Sequence, residues 1–309
     1  MERPHAPRAV CSSSRGEISE RRDAFAQVCE NGSVTPIDAT LRHVETKPAL
    51  VFEDIDFTIR DPTGLARDLA APLEYAQRVE AVVVASGIEA LMPRRDPRID
   101  DFLATWTTDE QGHARALGEL MTLLGLEPTP VGDPGLPLHN RLIRVLAVRS
   151  DSLHDVVTTI WSLVGAMNEH LAMAAYNRMD AMLRERGEVA LHHTLFRRLR
   201  ADESAHKSFY WSVAADTWRR LQPWQRRLTR LVVTKTYAPV GAGGSADRPA
   251  LARTVHALGR DDWHEAIVEP VQGVADRLLG ETEPFVRRAF EKCLTTDPLG
   301  IELLVPTGT

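Results

Sequence analysis

Asp109-Glu110-Gln111-Gly112-His113 is the stretch on which the reading of this chain turns, and Asp202-Glu203-Ser204-Ala205-His206 repeats its pattern. Each reads acid, then Glu-x-x-His. On a helix, residues three apart share a face, about 5–6 Å apart at Cβ. A carboxylate and an imidazole so placed reach one metal ion. The motif alone is weak, because Glu2-Arg3-Pro4-His5 also fits it inside a Pro-interrupted tail. The setting separates the other two.

Leu103, Trp106, Glu110, His113, Leu117, Leu120 and Leu124 fall at steps of three and four. Leu195, Leu199, Glu203, His206, Tyr210 and Val213 do the same. Both ionisable pairs therefore sit inside an apolar stripe. Charge there is costly unless it is paired or bound to metal.

Working outward, helical periodicity dominates from Gly64. It predicts four long helices: Leu65 to Leu91, Ile99 to Leu124, Asp151 or Ser152 to Arg186, and Val189 to Leu221. Pro72 marks a kink or a later start in the first. Gly187 is the expected C-cap of the third. A short helix is expected at Leu138 to Val148, and a basic one at Trp224 to Tyr237. Three more follow at Ala250 to Leu258, Asp262 to Leu279 and Glu283 to Leu294. Upstream, a short helix is expected near Arg21 to Val28 and another after Thr35-Pro36. Val51 to Ile59 reads as an extended loop. The fold class is all-α: a four-helix bundle with additional C-terminal helices. Residues 1–45 form a flexible tail with a short helix, 46–222 the bundle, and 223–309 an extension packed on it.

The 309 residues can bury a sizeable core. A net charge of -6 gives no reason to expect nucleic acid as a partner. Cys11, Cys29 and Cys293 lie far apart with no CxxC spacing, which excludes a zinc knuckle or disulfide framework and points to a reducing cytoplasm. No apolar run is long enough to span a membrane, and the N-terminus does not read as a signal peptide.

Two further carboxylates complete the pattern. Glu169 lies 18 residues before Gly187 and Glu203 lies 16 after it, a mismatch of about 3 Å in two helices folded back at that turn. Glu80 and Glu110 each lie 15 residues from Arg95, whereas Glu89 lies only six away, about 13 Å off level. Glu80 is preferred, with Glu89 the alternative. The proposed ligands are Glu80, Glu110, His113, Glu169, Glu203 and His206. Four carboxylates neutralise two divalent ions, and oxygen plus nitrogen donors suit iron or manganese better than structural zinc. Asp109 and Asp202 are expected to accept from the ligand histidines, each serving the histidine on the opposite helix.

Trp106-Thr107-Thr108-Asp109-Glu110-Gln111-Gly112-His113 resembles the W-T-x-[DE]-E-x-x-H segment of soluble acyl-carrier-protein desaturases, and Ala201-Asp202-Glu203-Ser204-Ala205-His206 resembles their A-D-E-x-x-H. Glu169 lies where their third-helix Glu falls. The resemblance covers about residues 75 to 215 and extends to the wider ferritin-like di-iron carboxylate superfamily. It implies two iron ions (or Mn/Fe), O2 as co-substrate, and removal of hydrogen from an unactivated C–H bond of an apolar, carrier-bound acyl substrate. Trp106, Asp202 and His113 match the family's path for electrons. The implied partners are an external donor such as ferredoxin and an acyl carrier protein, with a homodimer by analogy. Two departures stand out. Ala172 replaces a hydroxyl residue one turn after the third Glu, and the family's first-helix E-x-x-L-P would fall on Glu89 to Pro93. Hydroxylation, N-oxygenation and metal binding without turnover stay open.

Arg219, Arg220, Arg226, Arg227, Arg230 and Lys235 form either a dock for an acidic partner or a solvated face. Met167, Met173, Met179 and Met182 line either an apolar channel or ordinary core. His170, His192 and His193 lack partners at ligand spacing, and Trp161 and Trp211 read as core.

Overall fold

The computed structural model describes residues 34–85, 95–129, 150–242, 248–259 and 262–294. The described residues are all-helical and contain no strand. Helix α1 spans Pro36–Thr46, α2 Pro62–Ala85, α3 Pro97–Leu123 and α4 Asp151–Glu185. A turn at Val189–Leu191 and a π turn at His192–Phe196 lead into α5, Arg197–Arg220. Helices α6 (Pro223–Thr236), α7 (Arg248–Gly259), α8 (Glu269–Leu279) and α9 (Phe285–Leu294) follow, with a second π turn at His264–Val268 before α8. The expected helices at Arg21 to Val28 and Leu138 to Val148 lie outside the described residues, as do Glu89, Cys11 and Cys29.

Local chemistry sets the ends. Thr35 and Asp38 form a capping box at the start of α1, each accepting from the other's backbone N–H at 3.2 Å. Asp96 caps α3 and Pro97 occupies its first turn. Gly187 has φ 72°, and Glu188 N–H reaches back to the Leu183 carbonyl at 2.9 Å, so α4 ends in a left-handed turn that glycine takes without steric cost. Pro72 lies inside α2, which begins at Pro62, so the later start is corrected. Val51 to Ile59 is a loop containing one 3-10 turn, Phe52–Asp54. It is fastened by buried Glu188, which accepts the backbone N–H groups of Arg60 and Asp61 at 2.9 Å each.

Helices α2 and α3 pack as one pair and α4 and α5 as another, with α1 lying across α3 and α5. Thr40 of α1 is held to Ser212 of α5 by a hydroxyl hydrogen bond of 2.9 Å. Helix α7 covers α2, α6 and α8 lie on α4, and α9 packs on α7 and α8.

The apolar core is divided. One cluster holds Phe102, Trp106, Leu163, Phe209 and Tyr210 together with the C-terminal helices. The other holds Leu69, Leu117, Leu120, Tyr176, Leu183 and Leu199. On α3, Glu110 and His113 fall between residues of the two clusters; on α5, Glu203 does. A buried ionisable layer thus interrupts an otherwise continuous core. Close approach at this level is set in part by Gly165, because a Cβ there would lie 2.9 Å from the Tyr210 ring.

Candidate metal centre

Each of four helices delivers its share because its apolar stripe is wound inward. Helix α2 contributes Glu80, α3 Glu110 and His113, α4 Glu169, and α5 Glu203 and His206; all six are at least nine-tenths buried. Donor atoms of Glu80, Glu110, His113 and Glu203 lie within 4.8 Å of one another, and so do donor atoms of Glu110, Glu169, Glu203 and His206. Glu110 and Glu203 belong to both groups. The layout is two adjacent positions with two shared carboxylates, each position completed by one imidazole and one terminal carboxylate.

The imidazoles are oriented from behind. His113 Nε2 lies 3.1 Å from Asp202 Oδ2, and His206 Nε2 lies 2.9 Å from Asp109 Oδ2. Each aspartate sits on the opposite histidine's helix. An aspartate at Nε2 places the ring proton there and leaves Nδ1 as a lone pair. His113 Nδ1 faces Glu203 Oε1 at 3.3 Å, and His206 Nδ1 faces Glu110 Oε1 at 3.3 Å. Neither contact has hydrogen-bond geometry: both Nδ1 atoms, Glu110 Oε1 and both Glu203 oxygens are buried without a hydrogen-bond partner. Acceptor facing acceptor in a dry interior is repulsive unless positive charge stands between. The donor set and its orphaned lone pairs therefore fit metal. The cluster can hold a metal ion, and its chemistry is compatible with two irons.

Protons supply that positive charge when metal does not. Burial, reinforced by the charge of Glu110, raises the Glu80 carboxyl well above its usual range; burial and Glu203 do the same to Glu169. Burial also opposes ionisation of the inner pair. Contacts with Glu80, His113 and His206 outweigh it at Glu110, and contacts with both histidines and Glu169 do so at Glu203, so both are lowered. Burial pulls the imidazoles down, but the carboxylates around them lift both well above the ordinary value.

Two side chains at the centre went unassigned in the sequence. The Tyr176 hydroxyl donates to Glu80 Oε1 at 2.5 Å. Lys47 Nζ lies 2.5 Å from Asp202 and 2.9 Å from Asp109. Tyr176 shares the inward face of α4 with Glu169, a usable signal. Lys47 follows a helix end and precedes Pro48, where nothing distinguishes it from a surface lysine. Trp106 Nε1 donates to Glu169 Oε1 at 3.1 Å.

A small, partly open cavity adjoins the cluster on the side of Glu80. Tyr75, Glu80, Tyr176 and Thr254 are the polar residues of its lining; Ala76, Val79, Ala172 and Ala175 of the bundle and Leu251, Val255, Leu258 and Phe290 of the C-terminal helices form its apolar walls. The helix-α4 methionines are absent from this lining; of the two readings offered for them, core packing holds for Met167 and Met179, which are fully buried. His170, drawn down to about 4 by burial and Lys207, lies beside Lys207 at 3.5 Å, and His192 pairs with Asp180 at 2.5 Å. In the basic region, Arg219 and Arg220 pair with Asp216, Arg226 bonds the Trp218 and Arg219 carbonyls, and Arg230 bonds that of Leu279.

No family model, curated protein or solved structure matches this chain. Among the described residues, no helix is long and apolar enough to cross a membrane.

Proposed function

We propose that this chain is a ferritin-like di-iron oxidoreductase that uses O2 to oxidise an unactivated C–H bond of an apolar substrate, in the manner of the acyl-carrier-protein desaturases it resembles. The observation that carries the reading is the sharing of Glu110 and Glu203 between two donor groups, each completed by an imidazole held from behind by an aspartate. A structural ion-pair network has no need of unpartnered lone pairs converging on two points. Glu80, Glu110, His113, Glu169, Glu203 and His206 would hold the ions. The chemistry two irons supply when bound is reduction of O2 with electrons from an external donor.

The chain's own residues do the rest. Asp109 and Asp202 fix the imidazoles. Trp106 bonds Glu169 and bridges the centre to the aromatic group around Tyr210, the ring centroids being 6.4 Å apart. The cavity favours a turnover role over storage, because its apolar walls lead to Glu80 and Tyr176. Such walls bind alkyl groups and exclude water from the reacting position. Ala172, where the desaturases carry a hydroxyl, lines this space and leaves it wider and less polar. Ferredoxin and an acyl carrier protein are the partners the resemblance implies.

Reconstitution with ferrous iron under anaerobic conditions, metal analysis, and O2 uptake with reductant and alkyl substrates form the test. Two irons per chain with substrate-dependent O2 uptake supports the reading. Two irons without it reduces the protein to a metal-binding role, and no bound metal ends the site assignment.

A further inference from the structure

Lys47 forms ion pairs with both aspartates that stand behind the proposed ligand set. Its side chain is 6% exposed, with Nζ 2.9 Å from Asp109 Oδ2 and 2.5 Å from Asp202 Oδ1. Asp109 Oδ2 also holds His206, and Asp202 Oδ2 holds His113. One ammonium therefore joins two Asp–His pairs that serve different metal positions. An ammonium has three donors and no acceptor, so it can bind two carboxylates at once without frustration.

The surrounding chain is built to deliver it. Helix α1 is fixed at its start by the Thr35–Asp38 box and along its length by the Thr40–Ser212 hydrogen bond. Pro48 disfavours helical backbone at Lys47, which adopts φ -62° and ψ 149° and ends the helix. The lysine enters on the α3–α5 side, whereas the apolar cavity opens between α2 and α4. It lies behind the histidines, away from any substrate bound in that cavity.

We propose that Lys47 is a shared lock. It holds both aspartates in place together, so both imidazoles turn Nδ1 to the centre together and two divalent ions bind as one unit. This inference rests on reading the cluster as a two-ion site. If each aspartate had its own partner, either half could be lost alone; a common cation removes that independence.

Anaerobic titration of the metal-free full chain with Mn(II) or Fe(II) tests the lock, with binding heat and metal stoichiometry as readouts. The wild-type chain should take up two ions in one cooperative transition. Lys47→Met should weaken both positions together, by about 10–100-fold, the usual effect of losing a partner behind a metal ligand. Asp109→Asn should also weaken both positions, that of His206 the more. Unchanged two-ion binding by Lys47→Met, or loss of one ion alone, overturns the proposal. Circular dichroism checks folding. If the Met variant does not fold, Lys47→Gln, which keeps donors but no charge, takes its place with the same two outcomes. A wild-type chain that binds no ion overturns the metal reading as well; wild-type binding of two ions with an indifferent Lys47 variant removes the lock alone.

Discussion

His113 and His206 stand across the bundle with ring centroids 6.2 Å apart, and each gives its outer nitrogen to an aspartate carried by the other's helix. This exchange ties α3 to α5 at the level of the candidate metal centre. It also fixes which nitrogen each ring presents inward. The two halves of the site are therefore positioned by each other.

The shared carboxylates are the most sensitive positions. Glu203→Ala removes a ligand from both donor groups and takes away the carboxylate that His113 Nδ1 faces. Loss of stoichiometric two-iron binding and of O2-dependent turnover is expected. Metal analysis after anaerobic reconstitution measures the first, and an oxygen electrode the second. Full activity in this variant would end the assignment.

The metal-free and metal-loaded chains should respond to pH in opposite directions. Glu80, Glu169, His113 and His206 all have raised folded-state pKa values. Such groups contribute stability that is fully present below their unfolded values and is lost as pH rises through the folded ones. The lowered carboxylates Glu110 and Glu203 have the reverse dependence, which is spent below about pH 4. From about pH 6 to pH 9, then, the melting temperature of the chelator-treated protein should fall. Metal competes with those same protons, so ion affinity should rise across that range. Thermal scans with chelator and with Mn(II) check both slopes; parallel slopes would contradict the account.

Much of this centre was legible before any coordinates. Two Glu-x-x-His pairs inside leucine-rich stripes fixed which faces turn inward, because helical periodicity is a local property. Counting residues from Gly187 and Arg95 put Glu169 and Glu80 level with the two pairs, since a straight helix converts sequence distance into height; the alternative, Glu89, lies outside the described residues. Lys47 was invisible for the opposite reason: its role depends on where α1 crosses α3 and α5, a tertiary fact with no local trace. The cavity was likewise out of reach: the methionines left channel and core both open, and the space lies where Ala172 and Ala175 leave volume unfilled against α7 and α9. The later start offered at Pro72 fails, because packing of α2 against α3 and α7 supports helix on both sides of the proline.

Filling that volume should separate substrate binding from metal binding. Ala175→Phe projects a ring into the cavity, whose wall holds Glu80 but none of the other five proposed ligands. Iron stoichiometry should stay at the wild-type value, while turnover of alkyl substrates falls at least tenfold. A stability loss of about 1–3 kcal/mol from overpacking is expected alongside. Retained turnover with bulky substrates would place the substrate elsewhere.

Tyr176→Phe removes the single hydroxyl that donates to Glu80 from α4. In the metal-free chain this leaves a fully buried carboxyl oxygen with one partner fewer, at a cost of about 1–3 kcal/mol. Denaturant unfolding with chelator should show that loss, and metal should recover part of it by engaging Glu80 directly. A variant as stable as wild type without metal would mean that the hydrogen bond contributes nothing.

The most direct measurement is anomalous scattering at the iron edge from crystals of the reconstituted chain. Two peaks should appear between Glu110 and Glu203, one beside His113 and Glu80 and the other beside His206 and Glu169. A protein that folds normally but shows no peak within reach of Glu110 and Glu203 would contradict the account.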